Sequence, residues 1–319
     1  QYAIDCDWTP GAMSVAVTPK KARALHAWAE HMQREYGYTH LQSFDAQQTR
    51  SLIASKRYCA AVLDDFGGHL HPLNYTLGLG RAALNAGVVL HEQSPVISVK
   101  PAAQAGGGKA LVQTSQGSVR ARHVLLAGNV QLGDVAPRLS RRIMPVGTYI
   151  IATEALGAQR AKSLVRNRAC VCDTQFVLDY YRLTGDDRLL FGGRVSYSTA
   201  TPRDLAATMR RSMLAVYPQL SDVKITHAWG GFVDITMNRA PDFGRIAPDV
   251  LYLQGFSGHG LALTGMAAGR RGHRRTGRAL RPVPPPAPQT LPRRRPAAHP
   301  RAGAGHAVVP AARSGLKKA

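Results

Sequence analysis

The last 51 residues of the chain differ from the first 268 in composition. Residues 269–319 contain eleven Arg, two Lys and no acidic residue, and four residue types (Arg, Pro, Ala and Gly) supply 36 of the 51. The segment also has no aromatic residue, so it cannot bury enough apolar surface to offset the entropy cost of ordering. The sequence therefore predicts a disordered basic tail at residues 269–319 and a folded body before it.

The remaining 268 residues are long enough for one large or two ordinary domains. The tail carries +13 of the formal +22, which leaves 28 basic and 19 acidic residues, or +9, for the body. No apolar run approaches the roughly 18 residues of a membrane span, so no membrane partner is expected. Four cysteines are too few for a disulfide framework and favour a reducing, cytoplasmic location. Cys170 and Cys172 share one face of a predicted strand, and packing is favoured over a metal site.

Hydrophobic periodicity predicts a mixed α/β body. Thr18-Pro19 begins an amphipathic helix that ends at Gly37, and further helices are expected at 45–55 and 73–85. A capping box at Thr201 predicts another helix. Buried or alternating strands are predicted at 88–92, 96–99, 110–114, 119–122 and 123–129, followed by an antiparallel sheet within 142–194 and a strand pair within 225–236.

A predicted strand at 250–255 runs directly into a glycine-rich helix start. Gly255, Ser257, Gly258 and Gly260 alternate there with Phe256 and His259. Such a turn presents unpaired backbone N–H groups and the positive end of a helix dipole to an electron-rich ligand. The alternative is a tight strand-to-helix turn without any ligand.

Six segments in order carry a family resemblance. They are GGHLHP (67–72), GVVLHEQSPV (87–96), HVLLAGN (123–129), DYYR to LLFGGR (179–194), WGGFVDITMNRAPDFGRI (229–246) and YLQGFSGHGLALTGMAAG (252–269). Together they resemble the FAD-dependent oxidoreductases of the D-amino-acid oxidase type, and within these the gamma-glutamylputrescine oxidases. The match covers residues 2–268.

The resemblance implies an α+β or α/β fold, in which an incomplete FAD-binding domain of the glutathione-reductase type is interleaved with an antiparallel-sheet substrate domain. Residues 1–57 and 142–224 are expected in the substrate domain, and residues 58–141 and 225–268 in the FAD-binding domain.

The resemblance also implies the site residues, and no metal site. Expected FAD-binding residues are Val96, Ala127, Gly128, Gly255, Ser257, Gly258, Gly260 and Leu261. Expected catalytic residues that line the flavin are His259, His69, His71 and Trp229, with His259 favoured. Residues expected to bind an anionic part of the substrate are Tyr180, Tyr181, Arg182, Arg194 and Arg239, because a guanidinium and a phenol fit a carboxylate.

The sequence departs from the family at both ends. It contains no G-x-G-x-x-G for the FAD phosphates, and Gly78-Leu79-Gly80 lies within a predicted helix rather than between strand and helix. The expected continuation of the last helix is replaced by the Arg/Pro/Ala/Gly tail. We therefore expect a fragment with a frameshifted C-terminus that purifies without colour.

The implied activity is oxidation of a small amine, bound as the neutral amine, to an imine. Hydride passes to flavin N5, and dioxygen reoxidises the flavin with release of peroxide. A competing hypothesis is a non-catalytic fragment whose basic tail binds nucleic acid or another polyanion. The absence of aromatic residues for base stacking in the tail disfavours nucleic acid.

Overall fold

The computed structural model describes residues 2–197 and 202–272, together with the backbone of residues 309–310. The α-helices in these ranges are α1 (Pro19–Tyr36), α2 (Ala46–Leu52), α3 (Pro72–Asn85), α4 (Ala102–Ala105), α5 (Pro137–Ser140), α6 (Ala158–Leu164), α7 (Leu205–Val216) and α8 (Gly260–Gly272). Short 3-10 helices lie at Asn129–Gln131, Gly133–Val135 and Pro218–Leu220. None of the helices described is both long and apolar enough to cross a membrane.

The strands form three sheets. They are β1 (Thr9–Ala16), β2 (Leu41–Phe44), β3 (Ala60–His69), β4 (Val96–Lys100), β5 (Ala110–Thr114), β6 (Ser118–Ala121), β7 (Val124–Leu126), β8 (Met144–Thr153), β9 (Cys170–Asp173), β10 (Tyr180–Leu183), β11 (Leu189–Ser196), β12 (Ile225–Ile235), β13 (Asp242–Ala247), β14 (Val250–Gln254) and β15 (Val309–Pro310). A nine-stranded sheet has the order β15-β12-β8-β11-β10-β9-β1-β3-β2, and the smaller sheets are β13-β14-β7 and β4-β5-β6. The predicted mixed α/β fold is confirmed.

One face of the large sheet forms the main hydrophobic core. Side chains alternate between the two faces of a strand, so Tyr181 and Phe191 point to the same face, where α7 covers them. Their rings stack at 5.7 Å, and Tyr217 meets Tyr181 edge to face at 5.3 Å. Met213 of α7 is fully buried against this layer.

The other face of the large sheet is only partly covered. Helix α1 packs over β1, β2 and β3, where Ala29, Leu41 and Val62 form a small buried cluster. Farther along the sheet, the same face carries half-buried side chains from β8, β10 and β12. We call this region the open face, and it comprises Thr148, Ile150, Tyr180, Arg182 and Trp229.

The smaller sheets form a second core. Strands β7 and β14 are parallel neighbours, and Leu126, Val250 and Tyr252 are buried between this sheet and the segment that contains α5. A polar network joins this sheet to the start of β8. Arg142 forms an ion pair with Asp242 at 3.1 Å and donates a hydrogen bond to the hydroxyl of Tyr252 at 2.6 Å.

Several local predictions need correction. The predicted strand at 88–92 is irregular, and Val89 is 73% exposed, because the run finds no strand to pair with among the described residues. The predicted strand pair at 225–236 is the single long strand β12. The first four residues of the predicted tail, 269–272, continue helix α8, whereas the rest of the tail lies outside the described residues apart from β15.

The start of α7 also differs from the prediction. The helix begins at Leu205 after Asp204, rather than next to the predicted cap Thr201, which lies outside the described residues. The proposed domain boundaries cut across the large sheet, since β3 and β12 both pair within it. The division into domains stays a prediction.

Replacing Phe191 with alanine tests the main core. Phe191 has 0% exposure and stacks on Tyr181, so Phe191→Ala is expected to lower the free energy of unfolding by about 3–5 kcal/mol. The same change at Phe176, which is 84% exposed, is expected to cost less than about 0.5 kcal/mol. Urea unfolding of both variants measures the difference, and equal losses would contradict the assigned core.

Candidate active site

The glycine-rich turn between β14 and α8 adopts backbone angles that few residues tolerate. Gly255, Ser257 and Gly258 have φ values of 73°, 52° and 90°. A Cβ atom on Gly255 would collide with the side-chain methyl of Thr236. This position therefore requires glycine both for its positive φ and for the lack of space. The turn therefore brings its backbone close against the end of β12.

Asp234 fastens this turn to the large sheet. Its carboxylate accepts a hydrogen bond from the amide of Gly255, and its backbone carbonyl accepts one from the amide of Ser257 at 2.9 Å. The amide of Thr236 donates to the hydroxyl of Ser257 at 3.4 Å. Asp234 is 2% exposed, so the carboxylate makes its hydrogen bond in a site nearly free of water. The turn is thus anchored at the end of β12.

The start of α8 leaves several amides free. The backbone amide of His259 donates to the carbonyl of Phe256 at 2.9 Å, and the amide of Leu263 donates to the carbonyl of His259 at 3.2 Å. For the amides of Gly258, Gly260 and Leu261, the described part of the chain supplies no hydrogen-bond acceptor. Unpaired N–H groups at the positive end of a helix suit the N1/O2 edge of a flavin, where negative charge accumulates on reduction. The residues present therefore fit the ring edge of FAD.

The open face carries a row of residues across four strands, with an aromatic side chain at each end. Trp229 lies opposite Ile150, Ile150 opposite Gly192, and Gly192 opposite Tyr180. Gly192 has no side chain to compete with the ring of Tyr180, which lies directly over it. The hydroxyl of Tyr180 is 2.7 Å from the hydroxyl of Thr148, and burial raises the pKa of this phenol. The row is an apolar surface with one neutral, positioned hydroxyl.

A pair of buried carboxylates precedes the tyrosines of β10. The amide of Asp179 donates to the carboxylate of Asp173 at 3.2 Å, and Arg57 forms an ion pair with Asp179 at 3.3 Å. Burial, and then the charge of Asp173, raise the pKa of Asp179 to about 6, although Arg57 opposes the shift. These contacts fix the start of β10 and hence the position of Tyr180.

The structure brings only some of the predicted site residues together. Tyr180, Arg182 and Trp229 share the open face, while six predicted residues form the turn and helix start, namely Gly255, Ser257, Gly258, His259, Gly260 and Leu261. The side chain of His259 is exposed at this turn. Val96 begins β4, and Ala127 and Gly128 follow β7; all three are exposed and none belongs to the large sheet.

Other predicted residues lie elsewhere. Tyr181 points into the core on the opposite face, because neighbouring residues of a strand alternate between faces. His69 ends β3, where its Nε2 contacts the carbonyl of Arg168 at 2.9 Å and burial lowers its pKa. His71 caps α3, accepting a hydrogen bond from the amide of Asn74. Arg239 is exposed in a turn, and the side chain of Arg194 lies outside the described residues.

Sequence reasoning missed Asp234, Thr236 and Thr148. Asp234 and Gly255 are 21 residues apart, and nothing in the local pattern at the end of β12 indicates this contact. The one available signal for Asp234 is an acidic residue in an apolar strand, which demands a buried partner.

Solved structures share this fold. Glycine oxidase from Geobacillus kaustophilus matches with a TM-score of 0.72 at 17% identity, over 85% of this chain and 73% of that one. L-proline dehydrogenase from P. horikoshii matches with a TM-score of 0.73 at 17% identity, over 86% of this chain and 74% of that one. The fold of this chain is therefore the one that these two solved enzymes share.

Sequence comparison then gives the family. The pattern of the FAD dependent oxidoreductases matches residues 1–270, and the chain belongs to this family. It is 41% identical to gamma-glutamylputrescine oxidoreductase of Escherichia coli over 268 residues, and 39% identical to the probable oxidoreductase OrdL of Haemophilus influenzae over 272 residues. Both matches cover 84% of this chain but only 62% and 61% of the relatives, so the chain spans about three-fifths of their length. The predicted family is confirmed, and FAD is the cofactor of this family.

Alanine substitutions in the turn test its geometry. Gly255→Ala is expected to lower the free energy of unfolding by about 2–3 kcal/mol, because the methyl group collides with Thr236 and the left-handed backbone is strained. Gly258→Ala meets no atom within 4 Å and bears only the backbone strain, about 1 kcal/mol. Thermal unfolding distinguishes the two, and a larger loss for Gly258→Ala would refute the packing of the turn.

A second prediction concerns pH and Asp179. Because the folded-state pKa of about 6 exceeds the ordinary 3.8, ionisation of Asp179 lowers the free energy of unfolding as pH rises from about 4 to 6. Asp179→Asn removes this titration. The free energy of unfolding of the variant, relative to that of the parent, is therefore expected to rise by about 1–2 kcal/mol from pH 4 to pH 7. Urea unfolding across this range provides the measurement.

Asp222→Asn is the matched control for this titration. The Arg160 guanidinium lowers the pKa of Asp222. The contribution of Asp222 to the free energy of unfolding therefore changes with pH below about pH 4 and should stay constant from pH 4 to 7. If the free energies of unfolding of the parent and of Asp179→Asn differ by a constant amount over that range, Asp179 is not the titrating group.

Proposed function

We propose that this chain provides the flavin-ring edge and the substrate face of an oxidase for an amine with amino-acid character, such as a γ-glutamyl diamine. The similarity to gamma-glutamylputrescine oxidoreductase supports the substrate class. The observation that carries the proposal is the set of free amides at Gly258, Gly260 and Leu261, in the turn that Asp234 holds at the end of β12.

Oxidation of the amine removes two electrons. The carbon that bears the nitrogen loses a hydride, the nitrogen loses a proton, and the resulting imine is hydrolysed by water. FAD held at the amides of Gly258, Gly260 and Leu261 would supply the acceptor for the hydride, and dioxygen would take up the electron pair with two protons to become hydrogen peroxide. The protein must therefore position the amine, keep it neutral and exclude water.

The open face suits these tasks. Trp229 and Ile150 offer apolar contacts for an alkyl chain and exclude water from it. The hydroxyl of Tyr180, held by Thr148, orients a polar atom of the substrate. His259, whose side chain is exposed at the turn, is proposed to accept the proton that an ammonium substrate releases, since a histidine ring nitrogen can act as a general base. Val96, Ala127 and Gly128 are proposed to contact the rest of the dinucleotide.

The cysteines support a cytoplasmic location as part of this proposal. Cys6, Cys59, Cys170 and Cys172 are all free thiols. Burial raises the pKa of Cys172 to about 11, so its reactive thiolate form is scarce. Free thiols in the interior of a protein are typical of reducing compartments.

Peroxide formation tests the proposed function. The full chain is supplied with excess FAD and γ-glutamylputrescine, and peroxide is measured with a coupled peroxidase. We expect peroxide above the FAD-only blank, and a loss of about tenfold or more in Trp229→Ala, because the apolar contact to the substrate is removed. Trp28→Ala, on the outer surface of α1, is the matched control and should keep the parent rate. A rate equal to the blank would overturn the proposal.

A further inference from the structure

A polar cavity lies beside the open face, where the hairpin between β10 and β11 meets the start of β1. Its volume is about 360 Å³. Its charged lining residues are Asp7, Arg168, Arg182 and Asp187. None of the functions assigned so far uses Asp7 or this cavity.

Two of the four charges are already neutralised. Arg168 forms an ion pair with Asp187 at 2.8 Å and donates to the carbonyl of Thr184 at 2.7 Å. These contacts close the hairpin turn, so Arg168 and Asp187 have a structural role. The charges that remain are those of Asp7 and Arg182.

Arg182 is a half-buried cation without a carboxylate partner in the described part of the chain. Its guanidinium donates one hydrogen bond, to the carbonyl of Leu183 at 3.2 Å, and makes no ion pair there. Burial lowers the pKa of Arg182, and Asp7 is the acid whose charge most opposes this shift. A desolvated guanidinium with free N–H groups is a site for a carboxylate.

Asp7 is the complementary anion. Its carboxylate lies beside the hairpin, 3.7 Å from where a Cβ of Gly185 would stand, and accepts no hydrogen bond from the described residues. It is farther from Arg182 than the 4.0 Å limit of an ion pair, so the two charges face the cavity without neutralising each other. A ligand that carries both signs can bridge them.

We propose that this cavity binds the free α-amino acid head of the substrate, with its carboxylate on Arg182 and its ammonium on Asp7. The inference rests on the proposed function, because it assigns a binding site to the end of the substrate that is not oxidised. A γ-glutamyl group has such a head, since its linkage uses the side-chain carboxyl and leaves the α-ammonium and α-carboxylate free.

The dimensions of the sheet agree with this assignment. Arg182 lies opposite Leu190, and Leu190 opposite Ala152, four residues along β8 from Thr148. Four residues of a strand span about 13 Å. About ten bonds separate the terminal amine of a γ-glutamyl diamine from its α-carboxylate, and an extended chain of that length covers a similar distance. The amine of the substrate therefore reaches the level of Thr148 on β8 when the amino-acid head occupies the cavity.

Binding of γ-glutamylethylamide tests the proposal without FAD. Isothermal titration of the full chain is expected to show binding that weakens tenfold or more in Arg182→Gln and in Asp7→Asn. Asn tolerates the left-handed φ of 51° at position 7, so the second variant keeps the backbone intact. Arg138→Gln, on the exposed surface of α5, is the control and should bind as the parent does.

Chemical variants of the probe identify the recognised groups. The N-acetylated probe lacks the ammonium, and ethylamine lacks the whole head, so both are expected to bind at least tenfold more weakly. Equal binding of the probe to the parent and to Arg182→Gln, or equal binding of the acetylated probe, would overturn the proposal. Peroxide formation from γ-glutamylputrescine without probe binding would reject the cavity alone. Probe binding without peroxide would support the cavity and reject the proposed oxidase activity.

Discussion

The buried carboxylate of Asp234 is the contact on which the proposed site depends. It lies at the end of β12 and joins two backbones that are 21 residues apart, through the amide of Gly255. Because a charged acceptor in a dry site holds an amide more strongly than a neutral one, the turn has a fixed position against the large sheet. The free amides at the start of α8 are consequently held next to the end of β12.

The alternation of side chains between the two faces of the large sheet gives two neighbouring tyrosines different surroundings. Tyr180 and Tyr181 are neighbours in sequence, yet one reaches Thr148 on the open face and the other is buried under α7. The core face supplies stability, and the open face is left with half-buried groups that can contact a ligand. Gly192 enables this arrangement because the ring of Tyr180 occupies the space that a side chain at position 192 would need.

Much of the fold was predictable because it depends on local patterns. Pro19 and Gly37 mark the ends of α1, and the glycines after β14 mark the turn before α8. The site was predictable only in part, since the faces of β10 and the contact of Asp234 with Gly255 are set by long-range pairing. The run at 88–92 has the composition of a strand, but a strand also needs a partner to pair with, which its own sequence does not specify. Asp7 gave no signal because its role depends on a cavity formed with a hairpin about 180 residues away.

Amide hydrogen exchange in Asp234→Ala is the most direct measurement of the central claim, that one carboxylate holds the turn against the sheet. Exchange of the Gly255 amide is expected to accelerate by tenfold or more relative to the parent, because this amide loses its side-chain acceptor. The acceptor of the Ser257 amide, the backbone carbonyl at position 234, is retained, so this amide should accelerate less. Amides of β8 and β10, in the middle of the sheet, should exchange at unchanged rates. Unchanged protection at Gly255 would show that the turn is held by other contacts and would contradict the account.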